Sequence, residues 1–244
     1  MQLFIKFSIF MMIFNSFPLF SQIDKFRSDT FLTDKGKLRI YFIGHGTLMI
    51  EFNNIIIHID PVSMYANYKE MPKADIILIT HHHQDHLDIN AIDNIIKKDT
   101  SIILNQSSYD IIKQGTVIKN GQKLTEKNIT IETIRAYNTT KGRDKYHPAG
   151  RDNGYILNLG NKNIYVAGDT EDIPEMKKLE NKIDIAFLPM NQPYTMTPEQ
   201  IIEAVKMIKP KILFPYHYGN TNTKELVQLI KKTPYTELRV RDLK

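Results

Sequence analysis

The residues best suited to chemistry lie in the segment Thr80–Asp88, which reads THHHQDHLD and holds four of the chain's eight histidines. Along an extended backbone, side chains at i and i+2 point the same way, so His81 and His83 can converge on one ion. Asp85 and His86, after the turn, suit a second ion beside the first. The spacing therefore predicts a metal site, and the alternative is a solvated polar turn without function.

Cysteine is absent from the whole sequence. A metal would therefore have to be held by histidine, aspartate and glutamate, and no disulfide can stabilise the fold. The histidines do not form a purification tag, because they are internal and only three of them are consecutive.

Alternating strands and helices must position this segment. Apolar, β-branched runs predict strands over 38–43, 47–52, 54–60, 75–80, 101–104, 117–124, 128–137, 154–159, 163–168, 184–190, 211–217 and 236–240. Helical spacing predicts helices over 89–98, 107–114, 173–179, 197–208 and 223–232, with Asp88 and Thr197 placed to cap two of them. Residues 24–37 are interpreted as a polar lead. Because no repeat or linker interrupts this pattern, we expect one α/β domain over residues 22–244.

The first 21 residues have the composition of a secretory signal peptide. Lys6 precedes an apolar run that Asn15, Ser16 and Pro18 interrupt, and small Ser21 ends it. The sequence thus predicts cleavage after Ser21, a secreted or periplasmic protein and no stable membrane span afterwards. The remaining chain has 31 basic and 27 acidic side chains, a net charge of +4, without the dense basic block that marks nucleic-acid binding.

The cluster His81-x-His83-x-Asp85-His86 after a buried strand resembles the metal-binding motif of the metallo-β-lactamase-fold hydrolases. The resemblance implies a four-layer αββα sandwich. It extends to the ascorbate-6-phosphate lactonase-like and uncharacterised zinc-dependent hydrolases, which have a similar AYN…HP-x-G…GY stretch, a GDT followed by IPEM, and a TMTPE helix start.

The same resemblance assigns roles to residues outside the cluster. Asp60 would order the metal loop, Asp169 would bridge two ions, and His217 would be a ligand. The family usually has a histidine directly after a strand where this chain has Tyr137-Asn138, and His147 takes that role by resemblance. A surface position for His147 is the alternative. The implied ligand sets are His81, His83 and His147 for one ion, and Asp85, His86 and His217 for the other.

The implied cofactors are two divalent ions, zinc or alternatively manganese, with a metal-bound hydroxide as nucleophile. Asp85 would also orient that hydroxide and carry a proton to the leaving group.

Other residues have simpler interpretations. His45 would either bond the backbone of a turn or support the ligands from behind, and His58 is expected in the core. Arg143, Lys145 and Arg151 would form a solvated loop or, alternatively, clamp an anionic substrate.

The predicted function is an exported dinuclear metal-dependent hydrolase of a small ester, lactone or phosphodiester. The alternatives are a non-catalytic metal- or partner-binding module on the same fold, a nuclease and a β-lactamase. The expected partner is a small molecule and not a nucleic acid, and the net charge is compatible with an anionic one.

Overall fold

Two seven-stranded β-sheets frame the protein in the computed structural model, which describes residues 22–244. The leader predicted at residues 1–21 lies outside the described residues. The first sheet contains β1 (Ser28–Thr33), β2 (Gly36–Gly44), β3 (Thr47–Phe52), β4 (Ile55–Ile59), β5 (Ile76–Leu78), β6 (Ser101–Leu104) and β7 (Thr116–Val117). The second contains β8 (Lys123–Glu126), β9 (Ile129–Ala136), β10 (Asp152–Leu159), β11 (Lys162–Val166), β12 (Ile185–Pro189), β13 (Ile212–Tyr216) and β14 (Glu237–Leu238).

Each sheet changes from antiparallel to parallel pairing partway along the chain. Strands β1 to β4 and β8 to β11 form antiparallel hairpins. Strands β4 to β7 and β11 to β14 run parallel. Parallel neighbours need crossover connections, and helices supply them. These are α1 (Ile89–Ile95), α2 (Gln106–Ile112), α3 (Pro198–Ile208) and α4 (Thr223–Leu229), with short 3-10 helices at Gln22–Lys25, Tyr68–Glu70, Pro174–Leu179 and Ile230–Lys232.

Aromatic side chains fill the space between the two sheets. Phe214 of β13 stacks on Phe187 of β12 with ring centroids 5.0 Å apart and meets Phe42 of β2 at 5.1 Å. Because alternate residues of a strand face opposite sides, Ile77 of β5 points away from this core and packs with α1. Helix α3 contributes its buried side chains to the second sheet. The predicted four-layer αββα sandwich is confirmed.

The capping residues expected at two helices are in place. The Asp88 carboxylate accepts hydrogen bonds from the main-chain N–H groups of Asn90 and Ala91, and Thr197 forms a capping box with Gln200. The segment predicted as a helix over 173–179 is a 3-10 helix instead. None of the described helices is both long and apolar enough to span a membrane.

Two element predictions were wrong. The polar lead over 24–37 contains the edge strand β1, which escapes detection because only one of its faces is half-buried and much of the strand is polar. The single strand predicted over 117–124 is split between β7 and β8, which belong to different sheets. A turn at Asn120-Gly121, with Gly121 at φ +80°, separates them.

Strand β1 is fastened to the end of the chain through Asp29. Its carboxylate accepts hydrogen bonds from Arg239 at 2.9 Å and from Arg241 at 2.6 Å. Burial alone would raise the pKa of Asp29, but the two guanidinium groups outweigh it and hold that pKa below its ordinary value of 3.8. The ionised carboxylate therefore stabilises the fold above about pH 4, and this contribution is lost as the pH falls through the lowered pKa.

We expect Asp29→Asn to lower the free energy of unfolding by about 1–2 kcal/mol at pH 7, because two charge-assisted hydrogen bonds are weakened. The difference from wild type should begin to shrink below about pH 4, where this carboxyl becomes protonated in the unfolded chain, and should disappear once the pH is below the lowered pKa of the folded protein. Urea unfolding of both proteins at pH 7 and below about pH 4 measures the loss of stability and its dependence on pH. Asp110→Asn on the surface is the control. An equal loss at both pH values would contradict this explanation.

Candidate metal centre

The carboxyl ends of the parallel strands bring the predicted side chains to one edge of the sandwich. Asp60 directly follows β4 and His217 directly follows β13, whereas Asp169 comes shortly after β11. The histidine cluster begins two residues after β5, which pairs parallel with β4. In open parallel sheets this edge is where sites form, because successive strands end there with the same direction.

The first group of ligand atoms comes from His81, His83 and His147. Nε2 of His81 lies 3.1 Å from Nδ1 of His83. The His147 ring centroid is 5.1 Å from that of His81 and 4.9 Å from that of His83. One nitrogen from each of the three rings lies within 4.8 Å of the others, which is close enough for a shared ion. His147 is buried, so the alternative of a surface position for it is wrong.

The second group comes from Asp85, His86 and His217. The Asp85 Oδ2 atom lies 3.4 Å from Nε2 of His217 and 3.9 Å from Nε2 of His86. His45 joins this group, with Nε2 3.3 Å from the same oxygen. His217 has φ +45° and His45 has φ +53°, a backbone region that histidine enters more readily than most residues. Even so, this backbone conformation is strained for any residue other than glycine, and the structure holds both histidines in it beside one carboxylate.

Asp169 lies between the two groups. Its Oδ2 atom is 3.3 Å from Nε2 of His147 in the first group and 3.4 Å from Nε2 of His217 in the second. Its Oδ1 atom is 3.4 Å from Nε2 of His86. A single buried carboxylate therefore faces imidazole nitrogens of both groups, which is the arrangement that a bridging ligand requires.

Asp60 orients one of these rings from behind. Its Oδ2 atom lies 2.8 Å from Nδ1 of His86 and also accepts a hydrogen bond from the Thr80 hydroxyl at 2.6 Å. Because Nδ1 is occupied, Nε2 of His86 is the nitrogen that faces the site. Asp60 has φ +45° and is fully buried, as a residue fixed by its surroundings would be.

Asp152 orients the His147 ring as Asp60 orients His86, and it was not identified from the sequence. Its Oδ2 atom lies 3.2 Å from Nδ1 of His147, and it is held in turn by Arg151 through contacts of 2.7 and 2.8 Å. Asp152 is fully buried, although the stretch RDNG reads as a charged loop. An acidic residue shortly after a candidate histidine ligand is the signal that would have found it.

The unsatisfied atoms at this site fit a metal. Buried polar groups in proteins are nearly always hydrogen-bonded, yet Nε2 of His86, Nε2 of His217 and Oδ1 of Asp169 have no hydrogen-bond partner among the described residues. The separations of 3.4 Å between Asp169 oxygens and these two histidine nitrogens are long for hydrogen bonds. Four ligands at about 2.0–2.2 Å from one zinc ion lie about 3.3–3.6 Å from one another. Imidazole and carboxylate donors, at this spacing, suit such an ion.

The protein's own charges decide which rings carry protons. Burial opposes a charge on His86 and His147, but nearby aspartates outweigh it and raise the pKa of each ring to about 9. Burial lowers the pKa of His81 well below its ordinary value and brings the pKa of His83 to about 4. His81 and His83 are therefore neutral at neutral pH. An ion bound by His86 and His147 would displace their protons, so its binding would release protons.

The remaining histidines lie apart from these groups. His58 is buried in the core, with Nε2 3.0 Å from the main-chain oxygen of Pro72, as the sequence predicted. His82 belongs to neither group of ligand atoms, and its Nδ1 lies 3.2 Å from the Ser107 hydroxyl. It provides a matched control for variants of the clustered histidines.

Two of the cations flanking His147 are already paired. Arg143 lies 3.3 Å from the buried carboxylate of Glu171, and Arg151 binds Asp152. They brace the loop and are not free to clamp an anion. Lys145 is exposed, with Nζ 4.9 Å from the centre of the Tyr146 ring.

A cavity of about 370 Å³ opens onto both groups of ligand atoms. Tyr146 and Tyr194 form part of its wall, with ring centroids 5.0 Å apart, and Asn191 also lines it. The Asn138 amide donates to the main-chain oxygens of Arg143 and Tyr194 and so ties together the two loops that carry these tyrosines. This volume accommodates a small molecule.

We expect Asp152→Asn to weaken binding of an ion at the His81, His83 and His147 group by about 10- to 100-fold. The amide lacks the negative charge that favours a hydrogen on Nδ1 of His147. Without that charge-assisted hydrogen bond, the ring loses its fixed orientation. Competition with a coloured chelator measures the affinity, and Asp144→Asn, exposed on the same loop, is the control. Wild-type affinity in Asp152→Asn would contradict a role for this carboxylate in orienting His147.

Comparisons with known proteins agree with this geometry. Residues 39–217 match the family described as the β-lactamase superfamily domain. A UPF0173 metal-dependent hydrolase of Nanoarchaeum equitans is 31% identical over 206 residues, which cover 81% of this chain and 89% of that protein. A similar relative from Thermococcus kodakarensis is 31% identical over 195 residues and covers 75% of this chain and 85% of its own.

A solved structure is also similar to this chain. A crystal structure from Parabacteroides distasonis, provisionally described as a metal-dependent hydrolase, is 54% identical, with a TM-score of 0.87 over 90% of this chain and all of that one. The chain therefore belongs to the β-lactamase superfamily, within the family of the UPF0173 metal-dependent hydrolases.

Proposed function

We propose that the protein is an exported dinuclear metal-dependent hydrolase that acts on a small ester, lactone or phosphodiester. The observation that carries the proposal is the position of Asp169, whose two carboxylate oxygens face imidazole nitrogens of both ligand groups at 3.3–3.4 Å. The names of the similar proteins from Nanoarchaeum equitans and Thermococcus kodakarensis, which are called metal-dependent hydrolases, support it further.

The ions, their ligands and the residues that orient those ligands would have different roles. Two divalent ions, zinc in our proposal and manganese as the alternative, would polarise the substrate oxygen and lower the pKa of a bound water towards about 7. His81, His83 and His147 would hold one ion, and Asp85, His86 and His217 the other, with Asp169 between them. The protein itself orients His86 and His147 through Asp60 and Asp152.

Asp85 is the candidate for proton transfer. Its side chain is 43% exposed and lines the cavity, whereas the Asp169 side chain is 3% exposed. Burial would raise the pKa of Asp85, but contacts with His217, His45 and His86 outweigh it and lower that pKa, so the carboxylate is ionised at neutral pH. An ionised carboxylate at the edge of the cavity is able to accept a proton and pass it to a leaving group.

The size and lining of the cavity favour a small substrate. Tyr146 and Tyr194, whose rings meet edge to face at 77°, provide an aromatic wall against which an apolar or ring-shaped portion of a substrate can pack. Of the three cations that flank His147, Lys145 is the candidate to attract a negatively charged substrate group, because Arg143 and Arg151 are already paired with carboxylates. An anionic lactone or phosphodiester is therefore our preferred substrate class.

A hydrolysis panel tests the function. Purified protein would be stripped with a chelator, reloaded with Zn²⁺ or Mn²⁺, and offered lactones, thioesters, carboxylic esters and phosphodiesters. We expect turnover of at least one class by the reloaded protein, no turnover by the stripped protein, and unchanged turnover in His82→Ala. Silence across the panel despite full metal loading would favour the non-catalytic binding module.

Export is proposed from residues 1–21 alone. Cell fractionation and N-terminal sequencing of the mature protein test it, and we expect a mature chain that begins at Gln22 outside the cytoplasm. A protein retained in the cytoplasm with its leader intact would contradict export and leave the hydrolase proposal unaffected.

A further inference from the structure

His45 occupies a turn between β2 and β3 and lines the same cavity as the two groups of ligand atoms. Its Nδ1 atom lies 2.9 Å from the main-chain oxygen of Lys244, and its Nε2 atom lies 3.3 Å from Oδ2 of Asp85. The ring also packs against His217, with centroids 3.7 Å apart. Both nitrogens of His45 are thus placed by specific contacts.

These contacts define the tautomer of the ring. A main-chain oxygen only accepts hydrogen bonds, so Nδ1 of His45 must carry the hydrogen that it donates to Lys244. In the neutral ring, Nε2 then presents a lone pair towards the Asp85 oxygen. Two acceptor atoms at 3.3 Å repel each other unless a cation lies between or beside them.

The cation is either a proton or a metal ion. A charge-assisted hydrogen bond between imidazolium and carboxylate is expected at about 2.7–2.9 Å, shorter than the separation here. The separation of 3.3 Å instead matches the 3.3–3.4 Å between Asp169 and the histidines that surround it. Nε2 of His45 also belongs to a set of ligand atoms, with those of Asp85, His86 and His217, that all lie within 4.8 Å of one another.

The backbone around His45 is adapted to this position. A Cβ atom at Gly46 would lie 2.7 Å from Cε1 of His86, so only glycine lets the turn approach that ring. On the other side, the end of the chain is anchored: Leu243 is fully buried, and its main-chain oxygen accepts a hydrogen bond from the N–H of Tyr218. Lys244 is thereby held where its oxygen meets His45.

We propose that His45 is a further ligand, through Nε2, of the ion held by Asp85, His86 and His217, and that the Leu243-Lys244 segment fixes its ring. The inference rests on the proposed metal centre. It adds a donor to a group that already has three, with Asp169 beside them, and so offers the ion five candidate ligands, a number that Mn²⁺ and Co²⁺ accept and to which zinc can expand.

The test is the affinity of the two sites for Co²⁺ in wild type and in His45→Asn. Asparagine tolerates the left-handed backbone at φ +53° and removes the imidazole, so the variant should fold, which thermal unfolding of the chelated protein verifies. We expect the second Co²⁺ to bind at least 10-fold more weakly, its visible absorption to change, and the first ion to be unaffected. A chain ending at Asp242 should show the same change in weaker form.

His82→Asn, from the same cluster but outside both groups, is the matched control and should bind both ions as wild type does. Unchanged affinity and absorption in His45→Asn would overturn the inference, as would lost hydrolysis with both ions still bound, which would make His45 a proton-transfer group. If wild type bound fewer than two ions, the proposed centre itself would fail, and the inference with it.

Discussion

Asp169→Asn is expected to lower kcat/KM for hydrolysis by at least about 1000-fold and to weaken the binding of both ions. The carboxylate faces Nε2 of His86 through one oxygen and Nε2 atoms of His147 and His217 through the other. An amide replaces one of these oxygens by an NH₂ group, which donates hydrogen bonds and cannot ligate a cation. This fold-change represents a loss of about 4 kcal/mol of transition-state stabilisation, which we expect because both ions share this group.

The effect on metal binding is measurable without a known substrate. A ligand present at 1000 times its dissociation constant stabilises the folded state by about 4 kcal/mol, so zinc should raise the melting temperature of wild type by several degrees. The gain should be absent in Asp169→Asn and present in Asp110→Asn, a surface control with a 58% exposed side chain. Two ions bound with wild-type affinity in Asp169→Asn would exclude a bridging role.

His147→Ala is expected to remove one ion and leave the other. Only His81 and His83 would remain in the first group, whereas Asp85, His86 and His217 would keep the second group complete. We expect the metal content to fall from two ions to one per chain and hydrolysis to fall by at least about 100-fold, more than the loss of an orienting residue causes. Elemental analysis after exhaustive dialysis measures the content.

His82→Ala is the control for this variant, because it removes a neighbouring histidine whose Nδ1 contacts Ser107 and not the site. Two ions in His147→Ala would exclude His147 as a ligand and leave the first group with two histidines. Loss of both ions would show that the two groups bind cooperatively through Asp169.

The central part of the site could be predicted from local sequence. Along an extended segment His81 and His83 share one side, and the structure places their ligand atoms 3.1 Å apart. Asp60, Asp169 and His217 were recognisable through the resemblance of their strand-end positions to a known family, and the structure brings them to the same edge. His147 came from resemblance alone, since it lies in a long loop that no periodicity describes.

The supporting contacts could not be predicted, because they join residues far apart in sequence. His45 meets Lys244 across 199 positions, and Asp29 meets Arg241 across 212. Asp152 is near His147 in sequence, but its burial follows from the packing of β10 and is not visible in the charged stretch RDNG. For the same reason β1 was missed, since a polar edge strand is recognised by its pairing with β2.

The number of metal ions per chain tests the dinuclear centre most directly. The purified mature protein would be stripped with a chelator, reloaded with Zn²⁺ or Mn²⁺, dialysed, and assayed for metal and protein in the same sample. The geometry predicts two ions per chain, because both groups of ligand atoms face one shared carboxylate. One ion or none under every loading condition would contradict a dinuclear centre.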